Sequence, residues 1–368
     1  MRIEINQKEF YEGIQTVSKA VSSKTTLPIL SGILLKTEED KLKVVGTDLE
    51  IGIECFIEAH IIKGGSIVLP AKYLTSIVRE LPNEKIILTT EASNNTAQIK
   101  CDQAQFNIHG SPADEFPILP EIESGVRFTI KQNKFKEIID QTKFAISKDE
   151  SKPFLTGGLL IIEEGNIKLV STDTYRLAYR EDQINEKDIS AEKVIIPNKT
   201  LNEIAKLLDN SEDLIEIIIT ENQILFKFSG VSIVSRLIEG QFPNYKQVIP
   251  NKNNTKVIVD KNELLSAAKR ASLLAKKDSN IIKINLEKDK LIITSNAPEI
   301  GQAYEEVSIS LVGQETEIAF NAIYLMDCLK VIDSEEVVLE LLGSLSPGVI
   351  KSKSEDEYIY VIMPVRSA

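Results

Sequence analysis

Two histidines, His60 and His109, and three cysteines, Cys55, Cys101 and Cys328, are all the imidazole and thiol groups in this 368-residue chain. The histidines form no HExxH or other close pair, which argues against a histidine-based zinc site. The cysteines are widely scattered with no CxxC pair. That argues against a disulfide framework and a cysteine-rich zinc site, and it fits a reducing, cytoplasmic setting. No GxSxG elbow supports a serine triad, and no GxxxxGK[ST] loop is present to cradle phosphate. Gly64-Gly65 is a lone pair that reads as a tight turn before the strand SIVLP. No run approaches the roughly 18 apolar residues needed to cross a membrane, and MRIEINQKEF lacks the apolar segment of a signal peptide. These absences point away from enzymes, cofactors, metals and membranes.

What remains is ordinary globular composition, 42% hydrophobic and 27% charged, so wholesale disorder is not expected. At about 150 residues per domain the length suggests two or three domains.

The repeat is the main signal. INQKEFYEGIQTVSKAVS (5–22), IKQNKFKEIIDQTKFAIS (130–147) and VDKNELLSAAKRASLLAK (259–276) each open on a β-branched residue and continue with apolar residues at helical spacing. Phe10, Ile14, Val17 and Val21 fall at i, i+4, i+7 and i+11. Phe135, Ile139, Thr142 and Ile146 take the same steps with one polar substitution, as do Leu264, Ala268, Ala271 and Ala275. Each segment predicts an amphipathic helix of about four turns. A second triplet is SIVLPAKYLTSIVRELP (66–82), KVIIPNKTLNEIAKLLD (193–209) and, more weakly, EIAFNAIYLMDCLKVID (317–333), each an apolar strand running into a helix. Pro70 and Pro197 suit the strand end or first helical turn. A third triplet, GTDLEI (46–51), STDTYRL (171–177) and TSNAPEI (294–300), follows apolar strands.

Three marks recur in one order at nearly one period, so the chain reads as three copies of a module of about 120–125 residues, a usual domain size and too long for a solenoid repeat. The text between helices is strand-like: LPILSGILL, IGIECFI, LIEIIIT, ILFKFS and YIYVIM, separated by turn signals. Two helices and roughly eight successive strands per module indicate antiparallel sheets and an α+β class. Boundaries are expected near Glu123-Ser124-Gly125 and Pro250–Asn254, giving modules 1–124, 125–250 and 251–368.

The net charge of −12 argues against nucleic acid, but its distribution does not. The six helical segments together carry +8 and the remainder −20. If the helices share a face, that face is basic and suits sequence-neutral contact with a phosphate backbone. Lys72 and Lys199 occupy one place in two copies. Asp48 and Asp173 follow strands and read as turn-capping residues. A hydrolase built on these acids, and a scaffold that ignores DNA, remain competing readings.

The motifs TLPIL (26–30), GTDLE (46–50), LPAK (69–72), STDTYRLA (171–178), GQFPNY (240–245) and YVIMPVR (360–366), in this order, resemble the bacterial sliding clamp family, the beta subunit of DNA polymerase III, over essentially the full length. The resemblance implies three repeated DNA-clamp domains, each with two helices packed on antiparallel sheets, in a head-to-tail dimeric ring around duplex DNA. It implies a non-catalytic processivity factor that tethers the replicative polymerase alpha subunit. Other implied partners are the clamp loader, and further polymerases and repair proteins carrying short linear motifs. The implied peptide pocket comprises Leu155, Thr172, Tyr175, Arg176, Leu177, Pro243, Gln247, Val248, Leu345, Val361, Ile362, Met363, Pro364 and Arg366. Read from the residues alone, Leu177, Val248, Ile362 and Met363 suit a core equally well. Implied DNA contacts are Lys24, Lys72, Lys148 and Lys199, with Phe154 near the strand path. The implied dimer interface sets Phe106 and Ile108 against Leu273 and Leu274 of a second chain. The sequence departs from the family pattern at Pro153, where an aromatic is usual, at Gln247, usually basic, and at Asn321-Ala322, which lacks the lysine of the other copies.

Overall fold

The structure is a computed structural model describing residues 1–22, 26–91, 94–186, 189–275, 280–354 and 357–366. The first module runs β1 (Arg2–Asn6), α1 (Gln7–Ser18), β2 (Gly32–Glu38), β3 (Lys41–Thr47), β4 (Ile51–Glu58), β5 (His60–Lys63), β6 (Ser66–Pro70), α2 (Ala71–Glu80), β7 (Lys85–Glu91), β8 (Thr96–Cys101) and β9 (Ala104–His109). The second runs β10 (Val126–Lys131), α3 (Gln132–Asp140), β11 (Gly157–Glu163), β12 (Asn166–Thr172), β13 (Arg176–Gln183), β14 (Glu192–Pro197), α4 (Asn198–Leu207), β15 (Leu214–Ile219), β16 (Gln223–Phe228) and β17 (Val231–Arg236). The third runs β18 (Thr255–Asp260), α5 (Lys261–Ala275), β19 (Ile281–Leu286), β20 (Lys290–Ala297), β21 (Gly301–Gly313), β22 (Thr316–Asn321), α6 (Ala322–Val331), β23 (Glu336–Leu341), β24 (Gly348–Ser352) and β25 (Tyr358–Ile362). One α+β plan recurs three times, as the repeats predict.

The helices begin where local chemistry starts them. Asn6 caps α1 by accepting from Lys8 N at 2.9 Å, and Asn321 caps α6 by accepting from Ile323 N at 2.9 Å. Asp260 accepts from Glu263 N at the start of α5. Pro70 and Pro197 close their strands immediately before α2 and α4. Each helix turns its apolar stripe inward: Phe10, Ile14 and Val17 are fully buried, as are Phe135 and Ile139.

Three expectations need correction. LPILSGILL is not one strand: Pro28–Ser31 form a 3-10 turn with Pro28 at its start, and the strand begins at Gly32. The second amphipathic helix ends after nine residues instead of four turns. Thr142, the polar substitution in the pattern, is buried and donates its hydroxyl back to Ile138 O at 2.7 Å, competing with the amides that would extend the helix. In the third copy TSNAPEI is not the turn of the first two. Ser295 and Asn296 continue β20, and the Ser295 hydroxyl donates to Ala271 O.

The compact units do not follow the repeat. One comprises Met1–Gln132 with Lys206–Leu237, the other Asn133–Ala205 with Ile238–Ala368. Strand pairing between modules explains this. In the first unit β17 pairs with β4, Gly52 opposite Val234, making an antiparallel eight-stranded sheet of order β10-β15-β16-β17-β4-β3-β2-β6 beside a five-stranded sheet β5-β1-β7-β8-β9. In the second unit β25 pairs with β13, Leu177 opposite Val361, within a twelve-stranded sheet β14-β11-β12-β13-β25-β24-β23-β18-β21-β20-β19-β22. β21 serves both halves of its sheet: Gly301–Ser308 pair with β20 and Ile309–Gly313 with β18. Gly125, at the start of the second module, has φ +146°, and a Cβ there would lie 2.4 Å from Ile219 O, so only glycine fits.

Candidate functional site

The turn between β12 and β13 is built by its own side chains. Asp173 Oδ1 accepts from Tyr175 N and Arg176 N, both at 3.0 Å. Thr172 Oγ1 donates to Arg176 O at 2.7 Å and accepts from Thr174 N, which lets Thr174 hold φ +78°. The first copy repeats the device with Asp48, Thr47 and Leu49 at φ +77°. Asp48 and Asp173 are thus turn residues, with their Oδ1 lone pairs committed to backbone amides. Among the described residues no group of three or more His, Cys, Asp or Glu is placed to hold a metal.

This turn fixes Arg176. Its Nε donates to Asp173 Oδ2 (3.0 Å), Nη1 to Asp327 Oδ2 (2.9 Å) and Nη2 to Phe144 O (2.7 Å). The guanidinium lies 4.3 Å from the Tyr324 ring centre and 5.4 Å from that of Phe144, with 10% of the side chain exposed. Burial alone would lower its pKa, but Tyr360 and the two carboxylates outweigh that and hold it above the ordinary value. A planar cation between two rings, fixed by two acids, forms a rigid wall.

The residues expected of a peptide pocket all lie in the second unit and differ in depth. Leu155, Leu177, Val361 and Ile362 are buried core and support the surface from beneath. Thr172 is nearly buried, in the turn. Tyr175 (63% exposed), Val248 (40%) and Leu345 (71%) offer apolar area to solvent. Met363 and Pro364 are half-buried, while Pro243, Gln247 and Arg366 are exposed. The C-terminal segment is tied down: Met363 N donates to Tyr175 O at 2.9 Å and Val365 N to Ala319 O at 2.8 Å. Sequence reasoning missed Phe144, Tyr324 and Asp327. Only the lone acid on an otherwise apolar face of α6 hinted at Asp327.

The expected DNA contacts are dispersed. Lys72 on α2, Lys148 and Lys199 on α4 are exposed, and Phe154 is half-buried against Gly240. Lys24 lies outside the described residues. Ile323, the third-copy counterpart of Lys72 and Lys199, is exposed and apolar. Several cations counted on the helices are committed locally: Lys134 to Glu137 and Asp182, Lys143 to Asp140, Arg270 to Glu305, and Lys330 to Asp327. Of the expected interface pair on β9, Phe106 is 39% exposed but Ile108 is buried. On α5 Leu273 is exposed and Leu274 half-buried.

Comparison with known proteins agrees with this architecture. Family models of the DNA polymerase III beta subunit match in order: the N-terminal domain over residues 1–120, the central domain over 129–244 and the C-terminal domain over 246–366. The beta sliding clamps of Bacillus subtilis and Halalkalibacterium halodurans are 36% and 37% identical to the chain, each over the whole of both sequences. The crystal structure of the Bacillus subtilis DNA polymerase sliding clamp superposes with a TM-score of 0.96 at 36% identity, covering all of both chains. A DNA polymerase III beta subunit structure from Eubacterium rectale gives 0.95 at 35%, with the same coverage. Three modules in family order, one fold throughout and full-length similarity place the chain in the DNA polymerase III beta subunit family.

Proposed function

We propose that the chain is the processivity clamp of a replicative DNA polymerase, a non-catalytic ring of two subunits that encircles duplex DNA and presents the Arg176 surface to short peptide motifs of its partners. One observation carries the ring. In the repeat, β4, β13 and the Gly301–Ser308 half of β21 are counterparts, as are β17, β25 and β9. Inside the chain the first set pairs with the second: β4 with β17 and β13 with β25. Among the described residues the Gly301–Ser308 half of β21 has only β20 as neighbour, and β9 ends its sheet. An open edge on the last module and its complement on the first favour head-to-tail joining of identical chains. Arg270 on α5 pairs with Glu305 on β21, which sets Leu273, one turn along, beside that edge. Phe106 and Ile108 on β9 would meet Leu273 and Leu274 of the partner chain.

A tether of this kind holds DNA by topology. An acidic protein can then carry it on a few mobile lysine contacts, of which Lys72, Lys148 and Lys199 are the best placed by exposure and Lys24 belongs to the same set by sequence. Modules of 1–124, 125–250 and 251–368 belong to the same reading. The clamp loader and the repair polymerases would dock as the replicative polymerase does, through linear motifs seated on Tyr175, Arg176, Val248, Leu345 and Met363. The test is retention on nicked circular DNA before and after linearisation. The chain should stay on the circle and run off the linear form, and equal retention on both would refute a topological tether.

A further inference from the structure

One face of the eight-stranded sheet carries a groove of about 800 Å3 beneath the segment joining the first two modules. That volume lies within the roughly 300–1,000 Å3 typical of ligand sites. Its floor is Leu34 on β2, Lys43 and Val45 on β3, Glu54 on β4, Leu225 on β16 and Val234 on β17. The joining segment forms its other wall, with Phe116 and Leu119 packed down and Ile118 94% exposed at the rim.

The internal repeat shows what shape this space takes. Val45 pairs with Glu54 in the first copy, and Val170 pairs with Tyr179 in the second, so Glu54 stands where Tyr179 stands. The joining segments share a Phe-Pro step, Phe116-Pro117 and Phe242-Pro243, and three residues after each phenylalanine come Leu119 and Tyr245. In the second copy Tyr179 and Tyr245 stack with ring centres 5.9 Å apart and pack over Leu159, Ile161 and Val170. The Tyr179 hydroxyl donates to Glu181. In the first copy a carboxylate and a leucine replace the two rings. A sheet made to carry aromatic packing is left with the groove open. Leu119 cannot refill it, because it lies over Gly52, where a Cβ would be 2.4 Å from Leu119 Cδ2.

We propose that this groove binds the tyrosine side chain of a short, basic linear segment from a partner protein, the ring taking the place that Tyr179 fills in the second copy. Glu54, held by Lys43 at 3.0 Å, and Glu38 offer carboxylate oxygens to a phenol hydroxyl, as Glu181 does for Tyr179. Three lysines also line the groove, Lys36 paired to Glu38, Lys43 paired to Glu54, and Lys227, but Asp114, Glu121 and Glu123 on the joining segment bring the carboxylates to five, an acidic excess that favours basic residues flanking the tyrosine. The site is separate from the Arg176 surface, all of whose residues lie in the other compact unit. It gives one subunit two linear-motif sites of different preference.

The test uses the full chain and a fluorescein-labelled pentapeptide with a central tyrosine between lysine pairs, read by anisotropy at near-physiological salt. The expected result is saturable binding that weakens at least tenfold when the peptide tyrosine becomes alanine, and at least tenfold when Glu54→Tyr fills the groove. Retention of Glu54→Tyr on circular DNA should be unchanged, so failure of this site is distinguishable from failure of the clamp function. Ser232→Trp, on the strand beside Glu54, is the second blocking variant should Glu54→Tyr not fold. Equal binding of the alanine peptide, indifference to both blocking variants, or no saturation by millimolar peptide would each overturn the proposal.

Discussion

Removing the Arg176 guanidinium should be among the most damaging single changes in the second unit, and its cost can be worked from the geometry. Three hydrogen bonds, two of them to carboxylates, and two ring contacts are lost together. Breaking a buried ion pair from one side costs about 3–5 kcal/mol, because the stranded acid stays desolvated. The Asp173 and Asp327 side chains are 15% and 25% exposed and would partly rehydrate, so the lower end, about 3 kcal/mol, is expected for Arg176→Ala. Arg176→Lys keeps the charge but cannot bond both acids in one plane, and should cost about 1–2 kcal/mol. A double-mutant cycle with Asp327→Asn, read by urea unfolding, isolates the pair. Asp327→Asn should destabilise the wild-type chain by about 1–2 kcal/mol and the Arg176→Ala chain by much less. If the two changes add without coupling, Arg176 is not the residue that organises this surface.

Four further outcomes follow from the same structure. Replacing Leu273 and Leu274 by glutamate should yield monomers in sedimentation velocity with circular dichroism unchanged, and a persistent dimer would contradict the edge assignment. Met363→Ala should weaken binding of a motif peptide carrying apolar residues and a glutamine at least tenfold in calorimetric titration, since Met363 borders Tyr175 through its backbone bond. None of the three thiols should react with a disulfide reagent in the native protein, and all three should react in guanidinium. All are buried, and burial foremost, reinforced by Glu54, pushes the Cys55 thiol up to about 12 while burial also raises Cys101 and Cys328. Glu163, which accepts from Lys168 at 2.6 Å, has its pKa held below the ordinary 4.5 chiefly by that bond. A lowered folded-state pKa gives stability present above 4.5 and lost as pH falls through the folded value. The acid limb of a Tm–pH profile should therefore flatten slightly in Lys168→Met, by less than about 1 kcal/mol for so partly exposed a pair.

Several features were legible in the sequence because their causes are local. The period of the apolar residues gave the helices. Thr-Asp at positions 47–48 and 172–173 gave two turns with the same hydrogen bonds, since those bonds span only a few residues. The early end of α3 was legible in kind but not in outcome. Thr142 broke the apolar pattern visibly, yet only its burial forces the hydroxyl onto Ile138 O. The peptide surface was half legible. Tyr175, Val248 and Leu345 are exposed as a binding surface requires, but Leu155, Leu177, Val361 and Ile362, equally apolar in the sequence, lie in the core. Phe106 and Ile108 alternate on one strand, and nothing in their spacing distinguishes the exposed residue from the buried one.

By itself the amino-acid order determined that one module is written three times, that each copy sets two helices among successive antiparallel strands, and that the common motifs of zinc sites, serine triads and phosphate loops are missing. These are matters of composition and short-range periodicity. Only the tertiary structure decided which strand edges meet, joining β4 to β17 and β13 to β25 across modules and leaving β9 and half of β21 without a second neighbour among the described residues. It also decided that Arg176 is locked between Asp173 and Asp327, and that Glu54 faces the groove that Tyr179 fills in the next copy. Backbone hydrogen bonding between strands is indifferent to separation along the chain, so the pairings that set the assembly and its surfaces are fixed by packing over more than a hundred residues.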